Sequence, residues 1–406
     1  MINFGLNLPN IYLIVRTEKV IAILVLVFLC GDLFSQSSDY IPGALKLNEY
    51  FGLIKHKNVA VVANPTSMIN NVHLVDSLLN KKIKVKCVFA PEHGFRGNAE
   101  AGEHIDNNVD VKTGVKVISL YGKHYKPTKE DLKGIEVVVF DIQDVGVRFY
   151  TYISTLQYVM ESCIEKSIPL IVLDRPNPNG FYVDGPVLDT AFKSFVGMQP
   201  IPVVHGFTIG EYALYLNGEF FCKSNKKCDL KVVPLNNWNH TSRVNLTVPP
   251  SPNLPNMASI YLYPSLCFFE GTKISVGRGT NWPFQVFGYP ENKSGDFRFT
   301  PISIPGKAKS PLYENVECLG YNVKEYGEQF ASTAGQLNLN WLIQLYNEAN
   351  NKNDFFNSFF DKLAGTNELR RQIEAGMNED EIRNSWGPKL ENFRSIRKKY
   401  LLYRDF

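Results

Sequence analysis

Four familiar catalytic signatures are missing from this chain of 406 residues. No Gly-x-Gly-x-x-Gly follows the first apolar run and no Walker-type lysine loop occurs, so a nucleotide cofactor has no cradle. Neither Gly-x-Ser-x-Gly nor His-Glu-x-x-His is present, which argues against a serine hydrolase elbow and a helical zinc protease. Cysteine is scarce, seven in all, and no pair has metal-ligand spacing, so neither a zinc framework nor any other cofactor is expected. Lys and Arg number 43 against 40 Asp and Glu, a net charge of +3, and form no block dense enough to track phosphates. Nucleic acid is therefore not an expected partner, and no stable protein partner is indicated. The basic run at 394–399 reads as a solvated helix face.

Long apolar runs are also lacking. The longest, residues 20–30, is too short for the roughly 20 residues of a spanning helix. Preceded by Arg16 and Lys19 and followed by Ser35-Gln36-Ser37-Ser38, it suits a secretory leader cut near residue 35, which makes the mature protein exported and periplasmic. Cys30 offers a lipoprotein alternative, against which Leu29 speaks, because a small residue normally precedes a processed cysteine. Cys87 and Cys163 sit inside apolar patterns and read as buried thiols, whereas Cys222 and Cys228 flank a polar loop and could bridge in an oxidising compartment.

What is present is a repeated pattern. Five short runs of Val, Ile and Leu, at 58–63, 85–90, 115–120, 135–140 and 169–173, each end in polar residues no core requires. Segments with helical spacing lie between them, including Val72, Val75, Leu78 and Leu79, then Ile153, Leu156, Val159, Met160 and Ile164. Strand and helix in alternation predict an α/β fold, a Rossmann-like parallel sheet covered on both faces. Its ligands are expected at the carboxyl ends of the strands. After residue 290 the texture changes to helical patterns at 338–349, 355–363, 367–374 and 378–400. The expected organisation is a leader at 1–35, a catalytic domain at 36–290 and a smaller α+β domain at 291–406.

The strand ends supply the candidates. Glu92, between Pro91 and His93-Gly94, is placed to be partly desolvated, which raises a carboxyl pKa and makes it a usable general acid. Asn64 ends the first run, and Arg96 follows in the same loop as Glu92 and His93. Asp141, Gln143, Asp144 and Arg148 precede Tyr150, a mixture of hydrogen-bonding groups and aromatic rings suited to sugars. An Asp144–Arg148 ion pair is the bland alternative. Asp174, Arg175 and Asn177 repeat the theme one strand later, followed by His205 and Glu211. Ser251, Asn253, Glu270 and Arg278 occupy Pro- and Gly-rich loops, with Arg278 between two glycines suited to holding an anion.

Taken together, Asn64-Pro65-Thr66-Ser67 and the segments 91–97, 141–152, 173–180, 251–255 and 277–280 resemble the NamZ-like exo-β-N-acetylmuramidase family, also known as DUF1343 or YbbC-like. The similarity runs from about residue 45 to the end. It implies a Rossmann-like catalytic domain with a smaller C-terminal domain, removing N-acetylmuramic acid from the non-reducing ends of peptidoglycan fragments in wall turnover. The family's proposed catalytic glutamate matches Glu92. Many relatives carry Glu where this chain has Val276.

A sugar with a lactyl carboxylate calls for a cation, and Arg96, Arg148, Arg175 and Arg278 are the candidates. The expected mechanism has Glu92 protonate the glycosidic oxygen, with Asp141 or Asp144 as base, nucleophile or charge stabiliser, or with the 2-acetamido group attacking instead. Two rivals stand beside it: a metal-dependent hydrolase using His93, Asp141, Asp144, Asp174 and His205, and a non-catalytic wall-binding protein.

Overall fold

Six strands run parallel in the computed structural model, which describes residues 40–92, 94–97, 108–219, 221–222 and 226–406. They are β1 (Asn58–Ala63), β2 (Lys84–Ala90), β3 (Lys116–Ser119), β4 (Val137–Asp141), β5 (Leu170–Leu173) and β6 (Leu230–Val233). In space the order is β3-β2-β1-β4-β5-β6, with a short strand at Asn108–Val109 antiparallel outside β3. This is the doubly wound order, whose direction reverses between β1 and β4. Five strands arise from the apolar runs. The sixth was hidden because it is an edge strand with only Val233 buried.

The sheet's two faces follow the period of two along each strand. Val59, Val61 and Ala63 pack against α1 (Leu47–Ile54) and α2 (Leu74–Asn80). Ala60 and Val62 face the core shared with α3 (Tyr152–Lys166) and α4 (Ile209–Gly218). This second core continues through Phe268, Phe287, Leu342, Phe360 and Trp386, so the C-terminal elements belong to the same apolar body. Those elements are α5 (Met257–Leu266), an antiparallel sheet of β7 (Val286–Tyr289), β8 (Phe297–Phe299) and β9 (Cys318–Asn322), and the helices α6 (Asn340–Glu348), α7 (Phe360–Ala364), α8 (Glu368–Glu374) and α9 (Glu379–Arg397). Capping boxes start α4 at Thr208 and α9 at Asn378, satisfying the first free amides of each helix.

Three expectations are corrected. Of the helix expected at 355–363, only the end beginning at Phe360 is helical, because Phe356 pairs with Thr272 in an isolated β-bridge. The run at 394–399 is not wholly solvated: Arg397 is 1% exposed, ion-paired to Asp405 and donating to Gly206 O. Cys222 and Cys228 are separate buried thiols, and burial pushes each up to about 12. The leader, Cys30 and His93 lie outside the described residues.

The end of the chain is built into the sheet. Tyr403 Oη donates to Asp174 Oδ2 at 2.5 Å and accepts from Leu235 N, while Leu402 N donates to Glu211 Oε1. The tail thus seals the carboxyl ends of β5 and β6.

Candidate active site

A cavity of about 490 Å³ opens above the carboxyl ends of β2 and β3, the right size for a sugar. Glu92, two residues beyond β2, and Tyr121, two beyond β3, stand on its wall. The N-terminal end of α3 adds Tyr150, Thr151 and Tyr152, and the loop after β6 adds Ser251 and Asn253. Tyr263 of α5, Glu270, Arg278 and Phe284 complete the wall from the C-terminal elements.

Glu92 is half-buried and its carboxyl is hydrogen-bonded to Tyr121. Burial pushes its pKa above the usual carboxylate range and the charge of Glu270 adds to that, while Tyr121 and Arg278 pull it back. Glu270 Oε1 accepts from Arg278 Nε at 2.5 Å. Arg278 stays charged, because Glu270 offsets the cost of its burial. The cavity therefore presents a carboxyl with a raised pKa, a second carboxylate and a guanidinium on aromatic walls. Tyr150 is fixed by donating to Pro250 O at 2.6 Å, and Asn253 by donating to Lys307 O at 2.8 Å.

The remaining strand-end candidates do not reach this cavity. Asp141 is fully buried and takes a two-pronged ion pair from Arg175, with Nε and Nη2 at 2.6 and 2.9 Å. Asp144 accepts from Gly146 N at 2.6 Å, and its Oδ2 lies 4.0 Å from His205 Nε2. Both groups are buried, and the cost of ionising there raises Asp144 to about 7 and lowers His205 to about 3. Asp144 forms no pair with Arg148. The Arg148 guanidinium instead donates to four carbonyls, of Pro186, Ile201, Leu363 and Ala364, at 2.7–2.9 Å.

Arg96 is taken by Asp76 and Asp110, each at 2.8 Å. Asp174 accepts from Thr208 Oγ1, Gly210 N and Tyr403, and Glu211 from His240 and Leu402. Asn177 donates to Phe207 O and packs against Gly146, where a Cβ would meet its side chain at 2.1 Å. Of the described ligands of the metal-hydrolase rival, Asp141 and Asp174 are taken by protein groups and Asp144 and His205 stand 4.0 Å apart, and no group of three or more His, Cys, Asp or Glu among the described residues is arranged to hold a metal ion. Asp141 and Asp144, like Arg96, Arg148, Asp174, Asn177 and His205, do not line the larger cavity.

The switch point between β1 and β4 is largely filled from within. Thr66 Oγ1 accepts from Gln143 N at 3.0 Å, Ser67 Oγ donates to Asp141 O, and Asn64 Oδ1 accepts from Thr66 N. A cavity of about 200 Å³, lined by Thr66, Gln143 and Arg175 among others, lies there. Asn64 is buried beneath the larger cavity with its amide against the Tyr152 hydroxyl. Sequence reading missed Tyr125, Phe195 and Tyr263, and marked Tyr121 and Tyr152 only as parts of a strand end and of the aromatic run at 149–152. The position of Tyr121 directly after a strand was the one signal available.

Two family profiles match the chain: Exo-beta-N-acetylmuramidase NamZ, N-terminal, over residues 59–258, and its C-terminal counterpart over 261–403. The chain belongs to the NamZ exo-β-N-acetylmuramidase family. A protein of Bacillus subtilis strain 168, the peptidoglycan beta-N-acetylmuramidase NamZ, is 40% identical over 381 residues, covering 88% of this chain and 89% of that one. Two crystal structures of DUF1343 family proteins from Bacteroides fragilis each cover 91% of this chain and 100% of their own, with TM-scores of 0.85 and 0.75 at 46% and 29% identity. The two NamZ profiles meet inside α5, so the cavity draws Glu92, Tyr121 and Asn253 from one matched segment and Tyr263, Glu270 and Arg278 from the other. Val276 is packed in the core and does not line the cavity.

Proposed function

We propose that the protein is a glycoside hydrolase, an exo-acting β-N-acetylmuramidase that releases N-acetylmuramic acid from the non-reducing ends of peptidoglycan fragments. One observation carries the reading: Glu92, whose pKa is raised by burial, shares a sugar-sized cavity with Glu270 and Arg278. Glu92 protonates the glycosidic oxygen as the bond breaks. Its companion carboxylate is Glu270 rather than Asp141 or Asp144. Burial is the main cause of the raised Glu92 pKa and the negative charge of Glu270 adds to it; that charge also stabilises the positive charge that develops at the anomeric carbon.

Arg278 is the cation for the lactyl carboxylate. Its Nε is occupied by Glu270, and the terminal nitrogens remain to form paired hydrogen bonds. The leader-like residues 20–30 support export to the compartment where wall fragments are found.

The test is hydrolysis of a chromogenic β-N-acetylmuramide by the wild type and Glu92→Gln. Loss of about 10²–10⁴-fold in kcat is expected when a general acid is removed. Equal rates would take Glu92 out of the mechanism, and a wild type that binds the sugar without turnover would be a wall-binding protein instead.

A further inference from the structure

The cavity has a closed side and an open side, and their chemistry differs. Tyr150, Tyr152, Tyr263 and Phe284 are buried in its walls. At the opening stand Tyr125 and Phe195, half-buried, and Phe359, 36% exposed. The Tyr125 and Phe195 rings lie 4.3 Å apart at 38°, and Phe195 is nearly parallel to Tyr158 at 6.2 Å. Although these rings pack on one another, each keeps part of its surface exposed at the cavity mouth.

This rim is held in place. Ser194 and Gly197 exchange backbone hydrogen bonds at 3.0 and 3.1 Å, presenting Phe195 and Val196 on a tight turn. Ser154 Oγ of α3 donates to Phe195 O at 2.7 Å. A Cβ at Gly197 would meet Leu188 Cδ1 at 2.5 Å, so the turn packs closely on the loop behind it. Arg148 ties the carbonyls of Pro186 and Ile201, on either side of this turn, to those of Leu363 and Ala364, just beyond Phe359. The platform is ordered before any ligand arrives, which lowers the cost of binding.

We propose that Tyr125 and Phe195, with Phe359 across the opening, form the subsite for the leaving-group sugar, a 2-acetamido-hexopyranose linked to the terminal muramic acid. The inference rests on the glycosidase reading above. An exo-acting enzyme encloses the terminal sugar, so the rest of the chain must leave through the opening. The acid that protonates the glycosidic oxygen stands beside the leaving group. Glu92 is hydrogen-bonded to Tyr121, the Tyr121 ring meets Tyr125 edge-on at 6.2 Å, and Tyr125 packs on Phe195. That line of contacts runs from the proton donor to the rim, where ring faces can cover the apolar face of a pyranose.

The experiment compares two substrates that share the terminal sugar: the disaccharide N-acetylmuramyl-β-1,4-N-acetylglucosamine, and β-N-acetylmuramyl fluoride, whose leaving group is too small to reach the rim. For Phe195→Ala, the ratio of kcat/KM on the disaccharide to that on the fluoride is expected to fall about ten-fold or more, the worth of one stacking contact. Phe195→Tyr should keep the wild-type ratio. A ratio unchanged in Phe195→Ala, whether both rates hold or both fall together, would overturn the subsite and leave the glycosidase reading intact. A wild type inactive on both substrates would overturn the glycosidase reading and the subsite with it.

Discussion

Arg278 gives its Nε to Glu270 at 2.5 Å, on the same cavity wall as Glu92. The pair sets both the charge balance of the site and its choice of sugar. Replacing Arg278 by Ala removes the partner of the lactyl carboxylate, and kcat/KM on a β-N-acetylmuramide should fall about 10²-fold. The matching β-N-acetylglucosaminide, which has no lactyl acid, should lose far less. Measuring both aryl glycosides decides the matter, and parallel losses would assign Arg278 to general upkeep of the cavity.

Glu92 feels opposing influences from Tyr121 and Glu270, so their variants should move the pH profile in opposite directions. The Tyr121 hydrogen bond favours the ionised carboxylate, and Tyr121→Phe should carry the basic limb of kcat/KM to higher pH. The charge of Glu270 favours the protonated form, and Glu270→Gln should carry that limb to lower pH. Rate profiles of the two variants provide the check, and shifts of the same sign would mean the limb does not report Glu92.

Arg148 is a structural cation with a large stake in the fold. Arg148→Met leaves four carbonyl partners without their donor, each in a buried setting, and should cost about 3 kcal/mol or more. Urea titration should show an earlier midpoint at unchanged slope.

Asp144 makes stability depend on pH. Its folded pKa of about 7 lies above the unfolded carboxylate value, so the native state holds a proton that the unfolded chain has released between about pH 4 and 7. The buried acid therefore opposes folding increasingly as pH rises through that window. Asp144→Asn has no proton to lose, and its stability relative to wild type should improve by up to about 4 kcal/mol from pH 4 to pH 8. Denaturation curves at both pH values test this, and a constant difference would rule out Asp144 as the titrating group.

Much of the architecture was legible because apolar runs of five or six residues, punctuated by polar ends, have few other solutions. The position of Glu92 was legible for the same reason. Asp141 and Asp144 lie outside the larger cavity, which their positions could not show, because a polar residue at a strand end looks the same whether it meets a ligand or a neighbouring loop. Here the partners are protein groups: Arg175 for Asp141, and the Gly146 amide for Asp144. Glu270 and Arg278 gave a real signal in the glycines that flank Arg278, yet only folding brings them beside Glu92. Tyr125 and Phe195 are 70 positions apart, and no local pattern joins two rings across that distance.

The hydrogen bond from Tyr403 to Asp174 spans 229 positions of chain. During synthesis, β5 leaves the ribosome long before the tyrosine that covers its tip, and a nascent chain must wait with that acid uncovered. Completion of this corner therefore comes much later than the making of β5, and such distant closure favours slow final locking.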